Sequence, residues 1–280
     1  MSKTLFDCTY ELARALNIVS EGIATGGSTT TIVDTVERTE ADDFWTNGTA
    51  WITYDAGGAG AAPQGEYGYV SDFVSSTGTI TLRSALTAGV ASSDRYAVAR
   101  PRYPLQLLIQ KVNETFGVIE KTDTSTITLA ADQTEYSLPS DVLELKEVWL
   151  QTRTDDSNDN KWERLYDWDT IKSATGTANK VVFTRQLPSD GDVKLVYLTY
   201  HQVLRVATDK LDDSIHIHKV VYNAAVGCLL HRKSLVGESD LTVDSLLNYF
   251  QGKANEANAE HALRLPRRSA KTIHPVLSRP

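Results

Sequence analysis

Histidine and cysteine pairs are the residues of this sequence that come closest to metal-ligand spacing. His216 and His218 are separated by one residue, and Cys228 precedes His231 by three. Side chains two residues apart point to the same side only in an extended chain, and at the start of a helix they diverge. No second pair at ligand spacing accompanies either one. The spacing therefore favours solvated or hydrogen-bonded histidines, and we predict no bound metal.

An acidic run resembles the start of a calcium-binding loop. The run from Asp156 to Asn160 supplies carboxylate and amide oxygens, and Asp167 occupies the twelfth position. Lys161, however, stands where such a loop needs a glycine for its sharp turn. A solvated hairpin loop is the better interpretation of this run.

Two glycine patterns come close to phosphate-binding motifs and fail at a defining position. Pro63 stands where the run from Gly58 to Gly60 would need the third glycine of a dinucleotide fingerprint. Gly252 and the lysine after it lack both the earlier glycine and the following Ser or Thr of a phosphate loop. No serine lies in a nucleophile-elbow pattern, and neither cysteine has neighbours that would activate a thiol. We therefore predict no catalytic residue, no cofactor and no enzyme activity.

Charge and cysteine content narrow the class of protein. The 280 residues include 36 Asp and Glu against 28 Lys and Arg, for a formal net charge of −8. This acidic excess argues against a general nucleic-acid-binding protein, which would normally be basic. Cys8 and Cys228 lie in apolar helical patterns, which excludes a disulfide framework and suits a reducing cytoplasm. We expect no signal peptide and no contact with a membrane, because the N-terminus lacks an apolar core and no stretch approaches a membrane span.

Four apolar stripes at helical spacing predict the helices that would position any site. Helix one begins near Leu5 and is expected to end near Gly22, and helix two begins after Pro104 and continues to Ile119. The stripes of helices three and four run from Ile217 to Leu229 and from Val243 to Ala257, with Ser239 or Asp240 as the cap of helix four.

Two β-rich regions alternate with these helices, within residues 24–100 and 126–214. Because the stripes of helices one and two match, the economical fold class is α+β. It has an antiparallel helical bundle core into which a small β module is inserted. The predicted domains are a helical core (1–23, 101–125 and 215–263), the inserted β module (24–100), a second β region (126–214, with one strand at 126–130) and an extended C-terminal arm (264–280).

The predicted arm differs in composition from the rest of the chain. It contains five basic residues, no acidic residue and three prolines. Such a segment either stays a disordered tail or orders only when it docks on a partner. The hypothesised partner-binding residues are Arg264, Arg267, Arg268, Lys271, Ile273, His274, Val276 and Arg279.

Several motifs occur in an order that resembles tailed-bacteriophage virion proteins. In the first β region they are Gly26 to Asp34, Asp42 to Trp45, Val70 to Phe73, Ser76 to Leu82 and Asp94 to Tyr96. In the second they are Glu135 to Val142, Val148 to Leu150 and Leu195 to Tyr197, followed by helix three. This second series resembles the body of phage head-to-tail adaptor proteins, the group that includes podovirus tail tubular protein A. The resemblance covers most of the chain, and its motifs are structural.

The resemblance implies a structural virion protein of the neck between capsid and tail, made in the host cytoplasm. Members of the group form a ring, usually a dodecamer, beneath the portal vertex, and in many of them the C-terminal segment docks on the portal protein. The ring is then a platform for tail or nozzle proteins. Genomic DNA passes through its channel without sequence-specific binding, and acidic walls would discourage phosphates from sticking. The resemblance favours the docking arm over the disordered tail.

Three other functions compete with the adaptor. The chain could be a different neck, tail or baseplate component. It could be a carbohydrate-binding or receptor-binding β module with sugar platforms at Trp45, Trp51, Trp149, Trp162 and Trp168, although two of these lie in strand patterns typical of a core. A hydrolase would need two converging carboxylates, whereas the acidic residues are scattered along the sequence.

Overall fold

The computed structural model describes residues 3–58, 60–152, 161–172, 179–189, 191–236 and 241–261. In these ranges the chain forms fourteen strands in three antiparallel sheets, together with four α-helices. It divides into two compact units. The first contains the described residues up to Phe116 and from Gln202 onward, and the second contains Gly117–His201.

The first unit combines the four helices with one seven-stranded sheet. Its helices are α1 (Leu5–Ala15), α2 (Leu105–Glu114), α3 (Ile217–Val236) and α4 (Leu241–Glu260). Its strands are β1 (Val19–Ile23), β2 (Gly26–Gly27), β3 (Thr31–Val33), β4 (Thr49–Tyr54), β5 (Tyr67–Val74), β6 (Thr79–Leu82) and β7 (Arg95–Ala99). Their order in the sheet is β1-β7-β4-β5-β6-β3-β2.

Strand β7 is buried on both faces because a separate core lies on each side of it. Tyr96 and Val98 belong to a cluster built from strands and loops between residues 24 and 98. Ala97 and Ala99 point the other way, into the cluster that contains the helices. The alternation follows from the two-residue period of a strand. Small alanines on the helix side let the helices approach the sheet closely.

Helix α1 has a complete cap at its start and a conformational stop at its end. The Thr4 hydroxyl accepts a hydrogen bond from the Asp7 N–H at 3.3 Å, and the Asp7 carboxylate accepts one from the Thr4 N–H at 2.9 Å. Asn17 then adopts a left-handed φ of 53°. The prediction that helix one continues to Gly22 is therefore wrong, and Val19–Ile23 instead pairs with β7.

Helix α2 begins after Pro104 as predicted, but it ends at Glu114 rather than at Ile119. The residues after it turn into a strand of the second unit. The Asn113 side chain fixes the helix end, because it donates to the Leu204 carbonyl at 2.9 Å and accepts from the Leu204 N–H at 2.8 Å. These two bonds tie α2 to the segment that leads into α3.

The second unit contains two antiparallel sheets. Its strands are β8 (Val118–Asp123), β9 (Glu135–Ser137), β10 (Glu144–Thr152), β11 (Lys161–Leu165), β12 (Trp168–Ile171), β13 (Lys180–Phe183) and β14 (Val193–Tyr200). The orders are β11-β10-β14-β8 and β12-β13-β9. Both sheets contribute side chains to one cluster, for example Val148 and Leu195 from the first and Val181 and Phe183 from the second. The strand predicted at 126–130 is instead a single bridge between Thr128 and Asp192.

The predicted α+β class with an antiparallel helical bundle core is wrong, because the described chain is β-rich. The helical stripes of α1 and α2 do not pack only on other helices. They share their core with Trp51, Ala97 and Ala99 of the seven-stranded sheet. The Trp51 indole N–H also donates to the Thr9 hydroxyl on α1 at 3.3 Å. An apolar stripe indicates that one helix face is buried, but it does not indicate whether a helix or a sheet covers that face.

A buried polar network lies between the edge strand β1 and the loop after β3. Arg38 Nε donates to the Tyr96 hydroxyl at 2.5 Å, and that hydroxyl donates to Asp34 Oδ2 at 2.7 Å. Arg38 Nη2 donates to the Glu21 carbonyl at 2.9 Å, so the arginine also covers part of the sheet edge. A Cβ at Gly22 would lie 2.8 Å from both Arg38 and Tyr96. Only glycine therefore leaves room for the guanidinium at this position.

Candidate interaction site

Helices α3 and α4 form an antiparallel hairpin that leads the chain to the predicted arm. The side-chain amides of Asn223 and Asn258 exchange hydrogen bonds of 3.2 and 3.3 Å across it. Lys233 Nζ lies 2.7 Å from the Asp244 carboxylate nearer the tip. The buried stripe of α4 is Val243, Leu247, Phe250, Ala254 and Ala257. These contacts set the register of the two helices and hold the hairpin in the first unit.

A second set of apolar side chains on this hairpin lies outside the buried residues of its two helices. Leu230 on α3 is 48% exposed, and Leu246 and Tyr249 on α4 are 39% and 57% exposed. Val226 and Tyr222 precede Leu230 by one and two turns, respectively, and both are half-buried. We refer to Tyr222, Val226, Leu230, Leu246, Tyr249 and Lys253 as the hairpin face.

The side chains at one end of the hairpin face are close to one another. The pKa of Lys253 is raised by its 2.8 Å hydrogen bond to Glu256 and by the charge of that carboxylate, with smaller contributions from Tyr249 and Tyr222. Tyr222 and Tyr249 also both lie beside the Phe250 ring, with centroids 6.3 and 5.2 Å from it. The hairpin face combines aromatic and aliphatic surface with one cation, a composition that is typical of protein interfaces.

Six aromatic rings connect the hairpin face to the end of α4. Successive ring centroids lie 3.9, 5.0, 5.7, 6.3 and 5.2 Å apart in the order His261, His216, His218, Tyr222, Phe250 and Tyr249. We refer to these six residues as the aromatic row. The sequence did not single out His261, and the expected divergence of His216 and His218 does not occur, because their rings meet edge to face.

The surroundings of His216 in the aromatic row change its protonation. Burial lowers the pKa of His216 first, and the positive charges that His261 and His218 would carry lower it further, whereas Glu260 opposes this shift. Among the described residues, no group of three or more His, Cys, Asp or Glu side chains is arranged to hold a metal ion. The effect of the cluster thus falls on the His216 ring.

Both cysteines are poor nucleophiles. Cys8 and Cys228 lie in the first core with no exposed surface. Burial is the main reason why the pKa of each thiol is raised to about 12. The thiols stay protonated at neutral pH, and the thiolate is the reactive form.

The eight predicted partner-binding residues of the arm lie outside the described residues. The described chain ends at His261, one residue beyond α4, at the open end of the hairpin. Five of the 28 basic residues and none of the 36 acidic residues lie in 264–280. With a formal net charge of −8 overall, residues 1–263 therefore carry −13 and the arm carries +5.

The five tryptophans do not present open ring faces to a sugar. Trp45, Trp51 and Trp168 are buried in the cores. Trp149 and Trp162 are partly exposed, but Lys194 Nζ lies over both rings, 4.9 and 4.8 Å from their centroids. This cation already occupies the position that a sugar ring would need.

The residues of the hairpin face were not predicted, although a signal exists in the sequence. Leu246 stands directly before Leu247, and Tyr249 directly before Phe250. Only one member of each doublet can lie in a narrow buried stripe, so the other must face outward. In the narrow stripe of α4 this leaves Leu246 and Tyr249 exposed, whereas both members of the Val220–Val221 pair are buried in the broader stripe of α3.

The comparison with known proteins matches this chain to a phage adaptor family. Residues 95–273 match the family described as SU10 adaptor protein. No curated protein matches the chain. None of the described helices is both long and apolar enough to cross a membrane.

The matched range covers well over half of the 280 residues. It begins at β7, includes α2, the whole second unit and the α3–α4 hairpin, and continues through the first ten residues of the arm. The chain therefore belongs to the SU10 adaptor protein family, whose members are structural head-to-tail adaptors of the phage neck.

Proposed function

We propose that this chain is a head-to-tail adaptor that forms a ring beneath the portal vertex and docks on the portal through its C-terminal arm. The observation that carries the proposal is the family match, which runs through the hairpin and into the arm as far as Ile273. The match includes five of the eight hypothesised partner-binding residues: Arg264, Arg267, Arg268, Lys271 and Ile273.

The composition of the arm supports docking on a second protein. Its three arginines at 264, 267 and 268 can make charge-assisted hydrogen bonds with carboxylates and carbonyl groups of a partner. Ile273 and Val276 supply apolar anchors, and Lys271, His274 and Arg279 add further donors. Seventeen residues reach about 55 to 60 Å when extended, which is enough to pass from one ring to another.

Ring formation is supported by symmetry rather than by any single contact. Identical subunits that join head to tail close into a ring when the rotation at each interface divides a full turn. The number of twelve copies comes from the resemblance to the tail tubular protein A group. In that arrangement one surface of the ring would receive tail or nozzle proteins.

The segregation of charge suits a channel for DNA. Residues 1–263 carry a net charge of −13. A wall of this sign repels the phosphate backbone, so genomic DNA would pass without sequence-specific binding. The basic arm would lie outside the channel, where it can pair with another protein.

Two other functions have less support. A different neck, tail or baseplate component shares most of these features and would be separated from the adaptor by its position in electron micrographs of virions. A carbohydrate-binding module is disfavoured by the three buried tryptophans and by Lys194 between the other two.

Truncation of the arm tests the proposed docking. The full chain and a chain that ends after Leu263 would be mixed with portal-bearing phage heads that lack the adaptor, and co-sedimentation would measure attachment. We expect the truncated chain to keep the circular-dichroism spectrum of the fold and to lose attachment. The double substitution of Arg267 and Arg268 by Ala should weaken attachment less severely, since the apolar anchors remain.

Equal attachment of the two chains would overturn the docking role of the arm. If the truncated chain attached to heads as tightly as the full chain, another surface would carry the portal contact. Electron microscopy of the complex would count the subunits independently of the arm, and a component seated at the tail tip would contradict the adaptor position.

A further inference from the structure

We propose that the hairpin face is a docking site for the chain's own C-terminal arm, residues 264–280, before any partner engages that arm. The inference concerns the free chain and therefore goes beyond the adaptor role. It rests on the exposed side chains of α3 and α4, on the point where the arm departs, and on the chemistry of its residues.

The hairpin face carries more apolar surface than the packing of the hairpin needs. The stripe from Val243 to Ala257 already attaches α4 to the core. Leu230, Leu246 and Tyr249 lie outside that stripe, and each is exposed by between 39% and 57%. Exposed large apolar side chains on one helix pair, accompanied by charged residues such as Lys253 and Glu256, favour an interaction site.

The arm begins beside this surface. His261 is the last described residue, and its ring stacks on His216 at the first step of the aromatic row. The row leads from there to Tyr249 on the hairpin face. The seventeen residues of the arm reach at most about 60 Å, whereas a helix of 20 residues is about 30 Å long. The arm can therefore follow the whole hairpin.

The chemistry of the arm matches the surface. Arg267 and Arg268 can stack on the tyrosine and histidine rings of the aromatic row. Val276 and Leu277 are apolar and would cover exposed side chains such as Leu230 and Leu246. Glu256 and Glu260 follow Lys253 at helical spacing, so carboxylates flank the same side of α4. A segment of charge +5 is also attracted to a body of charge −13.

Weak contacts are sufficient for this docking because the arm is tethered. A segment joined by a short connection samples a nearby surface at an effective concentration on the order of millimolar. The same contacts made between separate molecules would not persist. A partner that binds the arm more tightly can therefore displace it from the hairpin face.

Cysteine labelling tests whether the arm covers the face. The substitution Tyr249→Cys would place a reactive thiol on the hairpin face, and the native Cys8 and Cys228 would not compete because they are buried. We expect a maleimide to label Y249C about fivefold more slowly in the full chain than in the chain that ends after Leu263. Raised salt should reduce this difference. Equal rates in the two chains would overturn the proposal.

Two further measurements accompany this test: labelling of a cysteine at a control position, and hydrogen exchange of the unsubstituted chain. Val36 lies in the same unit, is 73% exposed and is distant in sequence from the hairpin, so V36C should be labelled at the same rate in both chains. Hydrogen exchange of the native chain should show slower exchange across α4 in the full chain than in the truncated one. Protection of α1 alone would contradict the proposed location.

Crosslinking identifies whose arm is bound. A chain with both Y249C and Val276→Cys would be treated with a short bismaleimide at low protein concentration. We expect a crosslinked product of monomer mass, whereas a product of dimer mass would show that the arm of a second copy occupies the face and would overturn the proposal. Equal labelling rates together with full attachment to portal-bearing heads would reject the docked arm while leaving the adaptor role intact.

Discussion

At the scale of single residues, Arg38 is a charge held almost entirely away from water. Only 3% of its surface is exposed, and Asp34 and Tyr96, which neutralise and orient it, are fully buried. Glu40 Oε1 lies 3.4 Å from Arg38 Nη1 and is its second acidic partner. If one partner in this buried network is removed, the remaining charge stays away from water without its counter-charge. The resulting loss of stability is larger than the net stabilisation that the intact network provides.

Substitution of Asp34 measures this cost. We expect Asp34→Ala to lower the free energy of unfolding by about 3 to 5 kcal/mol, because the Arg38 charge would then stay buried with a weaker partner. Tyr96→Phe should cost about 1 to 3 kcal/mol, since it removes one hydroxyl between the two charges. Urea denaturation checks both values. The exposed Glu37→Gln is the control and should change stability by less than about 0.5 kcal/mol; a D34A variant as stable as this control would contradict the prediction.

The histidines of the aromatic row make a second residue-scale prediction. The pKa of His216 lies below the ordinary value of 6.5, first because of burial and then because of His261 and His218. The unfolded chain takes up this proton more readily than the folded chain. The neutral His216 ring therefore makes its full contribution to the stability of the fold above about pH 6.5. This contribution is lost as the pH falls below 6.5 through the pKa of the folded chain.

Nuclear magnetic resonance titration would follow the His216 ring directly. We expect a midpoint below 6.5 in the native chain and a higher midpoint in His261→Phe, which keeps a stacked ring but cannot carry a charge. Tyr222 and Glu260 also face this cluster and are unchanged in the variant. A His216 midpoint at or above 6.5 in the native chain would contradict the assignment.

At the scale of helices and strands, the sequence predicts the presence of elements better than their ends or partners. Helices α3 and α4 lie where apolar spacing places them, because long stripes leave little ambiguity. Helix α1 is shorter than predicted because Asn17 adopts a left-handed φ that the stripe cannot reveal. The helical bundle core was a wrong inference. Trp51 packs on α1 but is far from α1 in the sequence, so the helical pattern does not reveal this contact.

The candidate site was predictable only in part for similar reasons. The arm is evident from its charge and its prolines, since composition needs no knowledge of contacts. The aromatic row joins His216 to His261, and this pairing depends on the length and register of the hairpin. Long-range pairings of this kind require the tertiary fold.

Deletion of residues 24–100 tests whether these strands are an autonomous inserted module, which stays a prediction. Their cluster around Ile32, Phe73 and Ile80 is complete within the segment. The remaining chain, with Ile23 joined to Pro101, would lose the sheet residues that cover Leu12 and its neighbours. We therefore expect this remainder to lose most of its helical circular-dichroism signal. A cooperative thermal transition in the remainder would show instead that the helices suffice as a core.

At the scale of the whole molecule, its acidic and basic residues are unevenly distributed along the sequence. The body and the arm carry −13 and +5, so the arm is attracted to any surface that resembles the body. In the two proposals above, the portal and the hairpin face both bind this arm. Competition between the two would delay attachment until a partner with stronger contacts is present, which prevents the arm from engaging the wrong protein.

The discontinuous first unit has a consequence for synthesis on the ribosome. Residues up to Phe116 emerge first, yet the core they share with α3 and α4 lacks Val220, Leu229 and Phe250 until the C-terminal helices follow. The second unit is continuous from Gly117 to His201 and takes about 4 to 17 seconds to translate at ordinary rates. For that interval the apolar face of the N-terminal half stays uncovered. Host chaperones therefore have a defined period in which to bind that face.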